Sequence, residues 1–95
     1  MFTRVTTYKM KPESVDEAVQ KLKAMMPTIM GMNGMLSFTN AVNDDGSGVV
    51  VSVVESEAIS NANQEQVAAI WAEFAEYLEA PPEANGYNVV AHENN

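Results

Sequence analysis

The sequence has no cysteine, one histidine, and no lysine or arginine after Lys23. Without cysteine there are no disulfides, no thiolate metal sites and no thiol nucleophile. A single histidine cannot supply the several converging ligands that a usual metal site needs, so no metal and no cofactor is expected. No apolar run approaches the ~20 residues required to span a bilayer. The amino terminus, Met1-Phe2-Thr3-Arg4-Val5, is strand-like and lacks the basic and apolar segments of a secretory signal. These absences lead us to expect a cytoplasmic protein with no membrane partner. Positive charge is also scarce: five basic against thirteen acidic residues give a net charge of −8. The basic residues Arg4, Lys9, Lys11, Lys21 and Lys23 all lie in the first quarter, and eight glutamates follow Val49. Such a surface repels a polyanion, so a nucleic-acid partner is not expected.

What is present fits a single domain over residues 1–95. Residues 2–11 alternate, with Phe2, Arg4, Thr6, Tyr8 and Met10 on one side and Thr3, Val5, Thr7 and Lys9 on the other, which predicts a strand. Ser14 and Glu17 form a candidate capping box for a first helix. Its apolar stripe runs Val15, Ala18, Val19, Leu22, Met25, Met26, Ile29, Met30. Pro27 predicts a kink or an early end, with Gly31 as a left-handed terminator. Met35–Val42 and Val49–Val54 read as strands around the turn Asn43-Asp44-Asp45-Gly46-Ser47-Gly48. Ser56–Ser60 reads as a connector. A second helix follows, capped by Asn61 with Gln64, bearing the stripe Val67, Ile70, Trp71, Phe74, Tyr77, Leu78 and stopped by Pro81-Pro82. Tyr87–His92 reads as the last strand.

The order β-α-β-β-α-β predicts an α+β, ferredoxin-like domain, a four-stranded antiparallel sheet with two helices on one face. The run Val49–Val54 scarcely alternates, as in a strand covered on both faces. With Val5, it leaves the second sheet face more apolar than a monomer usually tolerates. A homodimer that packs two sheets together resolves this.

The chain resembles the dimeric α/β barrel superfamily, and within it the antibiotic biosynthesis monooxygenase group. The likeness rests on Tyr8-Lys9-Met10-Lys11-Pro12 after the first strand and on Gly34-Met35-Leu36 at the entry to the second. It rests also on Val53-Val54-Glu55-Ser56-Glu57-Ala58 and on Ile70-Trp71 in the late helix. It implies two sheets paired into a barrel, and a small, mostly apolar or aromatic ligand between sheet and helices. Some members oxidise aromatic polyketides without metal or flavin, some degrade haem, and others have no known activity. Many relatives carry Trp where this chain has Val54, which removes one aromatic wall. Haem-degrading relatives place a histidine late in the second helix, where this chain has Glu79-Ala80-Pro81-Pro82.

Three candidates emerge for chemistry. Arg4 shares the parity of core-facing residues, so it needs an anionic partner, either Glu55 or Glu93 or a ligand carboxylate or phenolate. His92 is the only histidine, the side-chain type used most often for proton exchange, and reads either as a proton exchanger or as a surface residue. Tyr87 offers an aromatic wall with a polar tip. Thr6, Tyr8, Met26, Trp71 and Phe74 are the candidate pocket lining, and helical spacing equally explains Trp71 and Phe74 as core. Met25, Met26, Met30, Met32 and Met35 read as flexible filler or ligand wall rather than metal ligands. Two functions follow: a ligand-binding, cofactor-independent monooxygenase, or a non-catalytic barrel with the same pocket.

Overall fold

A computed structural model describes residues 1–95. Strand β1 (Phe2–Lys9) is followed by a short 3₁₀ turn (Pro12–Ser14), helix α1 (Val15–Met30) and strands β2 (Met35–Val42) and β3 (Ser47–Val54). Helices α2 (Glu57–Ala62) and α3 (Gln64–Glu73) come next, then a 3₁₀ turn (Ala75–Tyr77) and strand β4 (Glu83–Asn88). The four strands form one antiparallel sheet in the order β2-β3-β1-β4. This is the ferredoxin-like arrangement expected from the sequence, with its second helix broken in two. No helix is long and apolar enough to cross a membrane.

Register fixes which side chains share a face, because successive strand residues point to opposite sides. Thr6 pairs with Val50, and Val50 with Asn40, so these three lie on the helix side. The core there is Tyr8, Met10, Ala18, Val50, Phe74 and Tyr77, with Leu22, Met25, Ile70 and Trp71 packed against it. Residues from sheet, α1 and α3 meet in this one cluster, so both helices cover the same face. Lys21 fastens the helices to each other: its ammonium lies 5.6 Å from the Phe74 ring, 5.7 Å from Tyr77 and 3.3 Å from the Glu73 carboxylate.

The first helix starts and ends differently from its sequence signals. Ser14 makes no side-chain cap, because the 3₁₀ turn already holds it at φ −97°, ψ −6°, and its own N–H donates to the Lys11 carbonyl. The Ser14/Glu17 capping box is therefore not formed. Pro27 does not end α1, which runs on to Met30. The backbone bond that Pro27 cannot make would have reached Lys23, and both residues are exposed, so water can take the orphaned carbonyl. Gly31 is right-handed (φ −80°), and the left-handed glycine is Gly34 (φ 73°), three residues on.

The second helical region departs further. Ser56–Ser60 is not a connector: Ser56 Oγ accepts from the Ile59 N–H at 3.2 Å and starts α2. The break falls at Asn63, not at Asn61, and the buried Asn63 side chain donates to the Asn33 carbonyl at 2.9 Å. That bond ties the break to the loop before β2. Phe74, Tyr77 and Leu78 do not extend the helix, because α3 stops at Glu73. Here the chain zips alongside the end of β1: Lys11 N–H donates to Tyr77 O and Glu79 N–H to Lys9 O, both at 2.8–2.9 Å.

The last strand is shifted. Sequence preference favoured Tyr87–His92, yet the paired residues are Glu83–Asn88, running from Thr7 opposite Glu83 to Phe2 opposite Asn88. The open edge of β1 recruits whatever chain lies beside it, and beyond Asn88 that edge is exhausted. One further bond, Val89 N–H to Met1 O at 3.1 Å, ends the ladder.

Candidate functional site

Between the sheet and helices α1 and α3 lies a cavity of about 390 Å³, lined by twenty residues of which fifteen are apolar. Small-molecule sites typically occupy roughly 300–1,000 Å³ and have this composition. The sheet supplies the floor, including Arg4, Thr6 and Tyr8 of β1, Asn40 of β2 and Ser52 of β3. Leu22 and Lys23 of α1 and Trp71 and Phe74 of α3 belong to the walls. None of the thirteen acidic residues lines it.

Arg4 carries the cavity's least ordinary electrostatics. Its Nε donates to Ser60 Oγ at 2.7 Å, a terminal nitrogen donates to Asn61 Oδ1 at 3.0 Å, and the guanidinium sits 5.7 Å from the Phe2 ring centroid. All these partners are neutral. The ion pairs of the structure are Lys9–Glu79 and Lys21–Glu73. The expected pairing of Arg4 with Glu55 or Glu93 is thus replaced by ties to α2. Lys23, the second cation on the lining, also has no carboxylate partner.

Tyr8 is buried and lies across the sheet. Its hydroxyl donates to Asn40 Oδ1 at 2.6 Å, and its ring meets Trp71 edge-on with centroids 5.7 Å apart. Burial pushes its phenol pKa above the ordinary value, with the Asn40 hydrogen bond opposing part of the rise, so the group is a neutral phenol near pH 7. As its proton is committed to Asn40, its oxygen meets a ligand chiefly as an acceptor.

Arg4, Thr6, Tyr8, Trp71 and Phe74 come together around the cavity, while Met26, Tyr87 and His92 do not. Tyr87 pairs with Thr3, which puts it on the sheet face away from the helices, where it is 54% exposed. His92 lies beyond β4 in the exposed terminal segment, so it faces no cavity. Met26 is half-buried, and its neighbour Met25 is the one that packs against the core cluster. Sequence reasoning missed Lys23, Ser52, Ser60 and Asn61. Ser52 carried a visible signal as the lone polar residue within Val49–Val54. Ser60 and Asn61 carried none while their segment read as a connector and a cap.

Comparison with known proteins agrees with this geometry. No curated protein matches the chain by sequence. Among solved structures, a protein of unknown function from Nitrosomonas europaea superposes with a TM-score of 0.83 at 18% identity, over 99% of this chain and 93% of that one. The monooxygenase encoded by ActVA-Orf6 of Streptomyces coelicolor, in complex with nanaomycin D, gives 0.77 at 22% identity over 99% and 91%. A variant of MhuD with two manganese protoporphyrin IX groups bound per active site gives 0.75 at 16% over the full length of both chains. At these identities the likeness is one of fold. The sequence profile of the antibiotic biosynthesis monooxygenase family matches residues 1–59, which include Arg4, Thr6, Tyr8 and Asn40 but not the aromatic wall of α3. With well over half of its length matched, and with the fold of a protein named for that activity, the chain belongs to the antibiotic biosynthesis monooxygenase family.

Proposed function

We propose that this protein binds a small aromatic anion, of bicyclic or tricyclic size, in the cavity between its sheet and helices. One observation carries the reading: in a chain of net charge −8, the cavity is lined by two cations without carboxylate partners and by no acid. A half-buried cation held only by neutral groups retains much of its attraction for an anion. Trp71 and Phe74 contribute walls, Thr6 belongs to the floor, and Arg4 takes the phenolate or carboxylate. The ActVA-Orf6 protein, crystallised in complex with nanaomycin D, supports a small-molecule occupant for this fold.

Oxidation without a cofactor is the reaction such a cavity can support. An electron-rich phenolate or anthrone enolate reduces dioxygen itself: the ring carbon gains one oxygen as a carbonyl, two hydrogens leave, and the second oxygen departs as water. Arg4 stabilises the bound anion and the walls exclude solvent. The non-catalytic reading has its own support, because no group on the lining is suited to take a proton near pH 7: Tyr8 is a neutral phenol, and Arg4 and Lys23 are cations. Catalysis in this cavity therefore requires a ligand that ionises unaided.

Haem does not suit the donor set. Haem iron is held by His, Cys, Met with His, or Tyr. The lone histidine lies outside the cavity, cysteine is absent, and the Tyr8 phenol is neutral and bonded to Asn40. The sheet face away from the helices carries Val5, Val49 and Val51 beside Tyr87, and a second copy of the chain is its fitting cover.

The test uses Trp71, the sole tryptophan, as reporter. Titration with 2-naphthoate should quench it with an affinity at least roughly tenfold above that of the neutral amide of the same ring. Equal affinities would refute the anionic reading. Oxygen uptake with an anthrone then separates the oxidase from the binder.

A further inference from the structure

We propose that Gly48 is a specificity-determining residue of the cavity: by carrying no side chain it lets Tyr8 lie flat as the floor instead of standing up as a plug. The link to ligand size rests on the cavity being the ligand site. The placement of Tyr8 does not.

Tyr8 of β1 stands opposite Gly48 of β3, and Gly48 opposite Val42 of β2, while Asn40 of β2 stands opposite Val50. The phenol of Tyr8 reaches Asn40, 2.6 Å away, so its ring must cross β3 to touch a residue two strands from its own backbone. Adjacent strands lie about 4.8 Å apart, and a tyrosine spans that crossing only by lying close against the sheet. The position it crosses is Gly48. A Cβ there would come 2.7 Å from Cε1 and 2.5 Å from the hydroxyl oxygen of Tyr8, and closer still to Cζ. The obstruction is the rigid ring itself, at the atoms that make the Asn40 bond, so a small adjustment cannot relieve it.

Any side chain at position 48 must therefore lift the phenol. The space it would enter is the cavity, whose lining already includes Tyr8, and the ring it would approach is Trp71, at 5.7 Å between centroids. Lifting loses the Tyr8–Asn40 bond and fills volume that a ligand would use. Gly48 has no unusual backbone requirement to explain its presence, as the positive-φ glycines are Gly34 and Gly46. Glycine within a strand is unfavourable relative to alanine, so some other demand holds it here. The overlying ring is that demand.

The experiment compares wild type, Gly48→Ala, Tyr8→Ala and the double variant, all as the full chain. Gly48→Ala should lower the melting temperature in the wild-type background. The same change in the Tyr8→Ala background should leave it unchanged or raise it, because with the ring gone alanine is the better strand residue. A crystal structure of Gly48→Ala should have Tyr8 detached from Asn40 and turned into the cavity, and its affinity for 2-naphthoate should fall by roughly tenfold or more. Equal destabilisation in both backgrounds, or a Tyr8–Asn40 bond retained in Gly48→Ala, overturns the proposal. A displaced ring with unchanged 2-naphthoate affinity overturns its specificity. If wild type itself fails to bind 2-naphthoate, the aromatic-anion reading falls, and the position of the ring still decides the role of Gly48.

Discussion

Replacing Arg4 with methionine removes a charge while keeping most of the volume, and the structure sets both effects it should have. In the free protein Arg4 makes two hydrogen bonds, to Ser60 Oγ at 2.7 Å and Asn61 Oδ1 at 3.0 Å. A bond with one charged partner contributes about 1.5–3 kcal/mol in full burial. Arg4 is only half-buried and Asn61 is exposed, so solvent screening cuts this sharply. Relief from holding a cation with no counter-charge offsets part of the remainder. A net loss of about 1 kcal/mol follows, dominated by Ser60, which is 4% exposed and loses its donor. Affinity for 2-naphthoate should fall further, by about 2–3 kcal/mol for a charge-assisted contact, or roughly 30- to 150-fold. The neutral amide should change by less than about threefold. Isothermal titration and thermal melts on the same preparation measure both. Asn61→Ala is the informative control, because it removes a tie and keeps the charge, so 2-naphthoate affinity should hold or rise. If Arg4→Met lowers the melting temperature and leaves 2-naphthoate affinity within about threefold, Arg4 is only a strut between β1 and α2, and the anionic reading fails.

Trp71→Ala should destabilise by about 3 kcal/mol, the lower end for aromatic truncation because Trp71 is only half-buried, with part of the loss coming from its edge contact with Tyr8; chemical denaturation measures it, and a change below about 1 kcal/mol would remove Trp71 from the core. Asp45 has its pKa held below the usual carboxylate range, chiefly by the Ser47 hydroxyl at 2.5 Å and then by the Ser47 N–H at 2.9 Å. Its contribution to stability is present above the unfolded pKa and fades as pH falls through the lower folded value, so Ser47→Ala should raise the Asp45 pKa, and an unchanged NMR titration would contradict the assignment. Sedimentation at micromolar concentration should give a homodimer, and Val51→Glu, placed on the sheet face away from the helices, should give a monomer that still binds 2-naphthoate.

Elements whose signals were periodic and strong read clearly from the sequence. β2 lies at Met35–Val42, between Gly34 and the turn that opens at Asn43, as the sequence reads. The alternation of β1 put Thr6 and Tyr8 on the helix side, and both are buried. The readings that failed were those in which tertiary contacts outweighed local preference. Glu83-Ala84-Asn85-Gly86 has little strand propensity and forms β4 because β1 offers an open edge. The strand begins four residues earlier than local preference suggests, which leaves His92 off the sheet altogether, and pairing with Thr3 sets Tyr87 on the face away from the helices. Parity, which placed Arg4 on the cavity, could give no hint of its partners. Ser60 and Asn61 reach it only because α2 exists, and α2 is too short to leave a periodic trace. The role of Gly48 was equally hidden, since it depends on a residue forty positions earlier in the chain.

The place of β1 in the sheet has a consequence for how the chain comes to be made. Strand β1 is an interior one, and each of its neighbours is synthesised after it: β3 closes one edge, and β4 closes the other. Until Glu83–Asn88 arrives, the unpaired N–H and C=O groups of Phe2–Thr7 stay open to any extended peptide nearby. A nascent or truncated chain ending before residue 83 would hold the whole core cluster yet lack the strand that shields its sheet from other chains. The weak strand preference of Glu83-Ala84-Asn85-Gly86 then has a use: a segment reluctant to pair alone joins its own β1 and is a poor seed for aggregation.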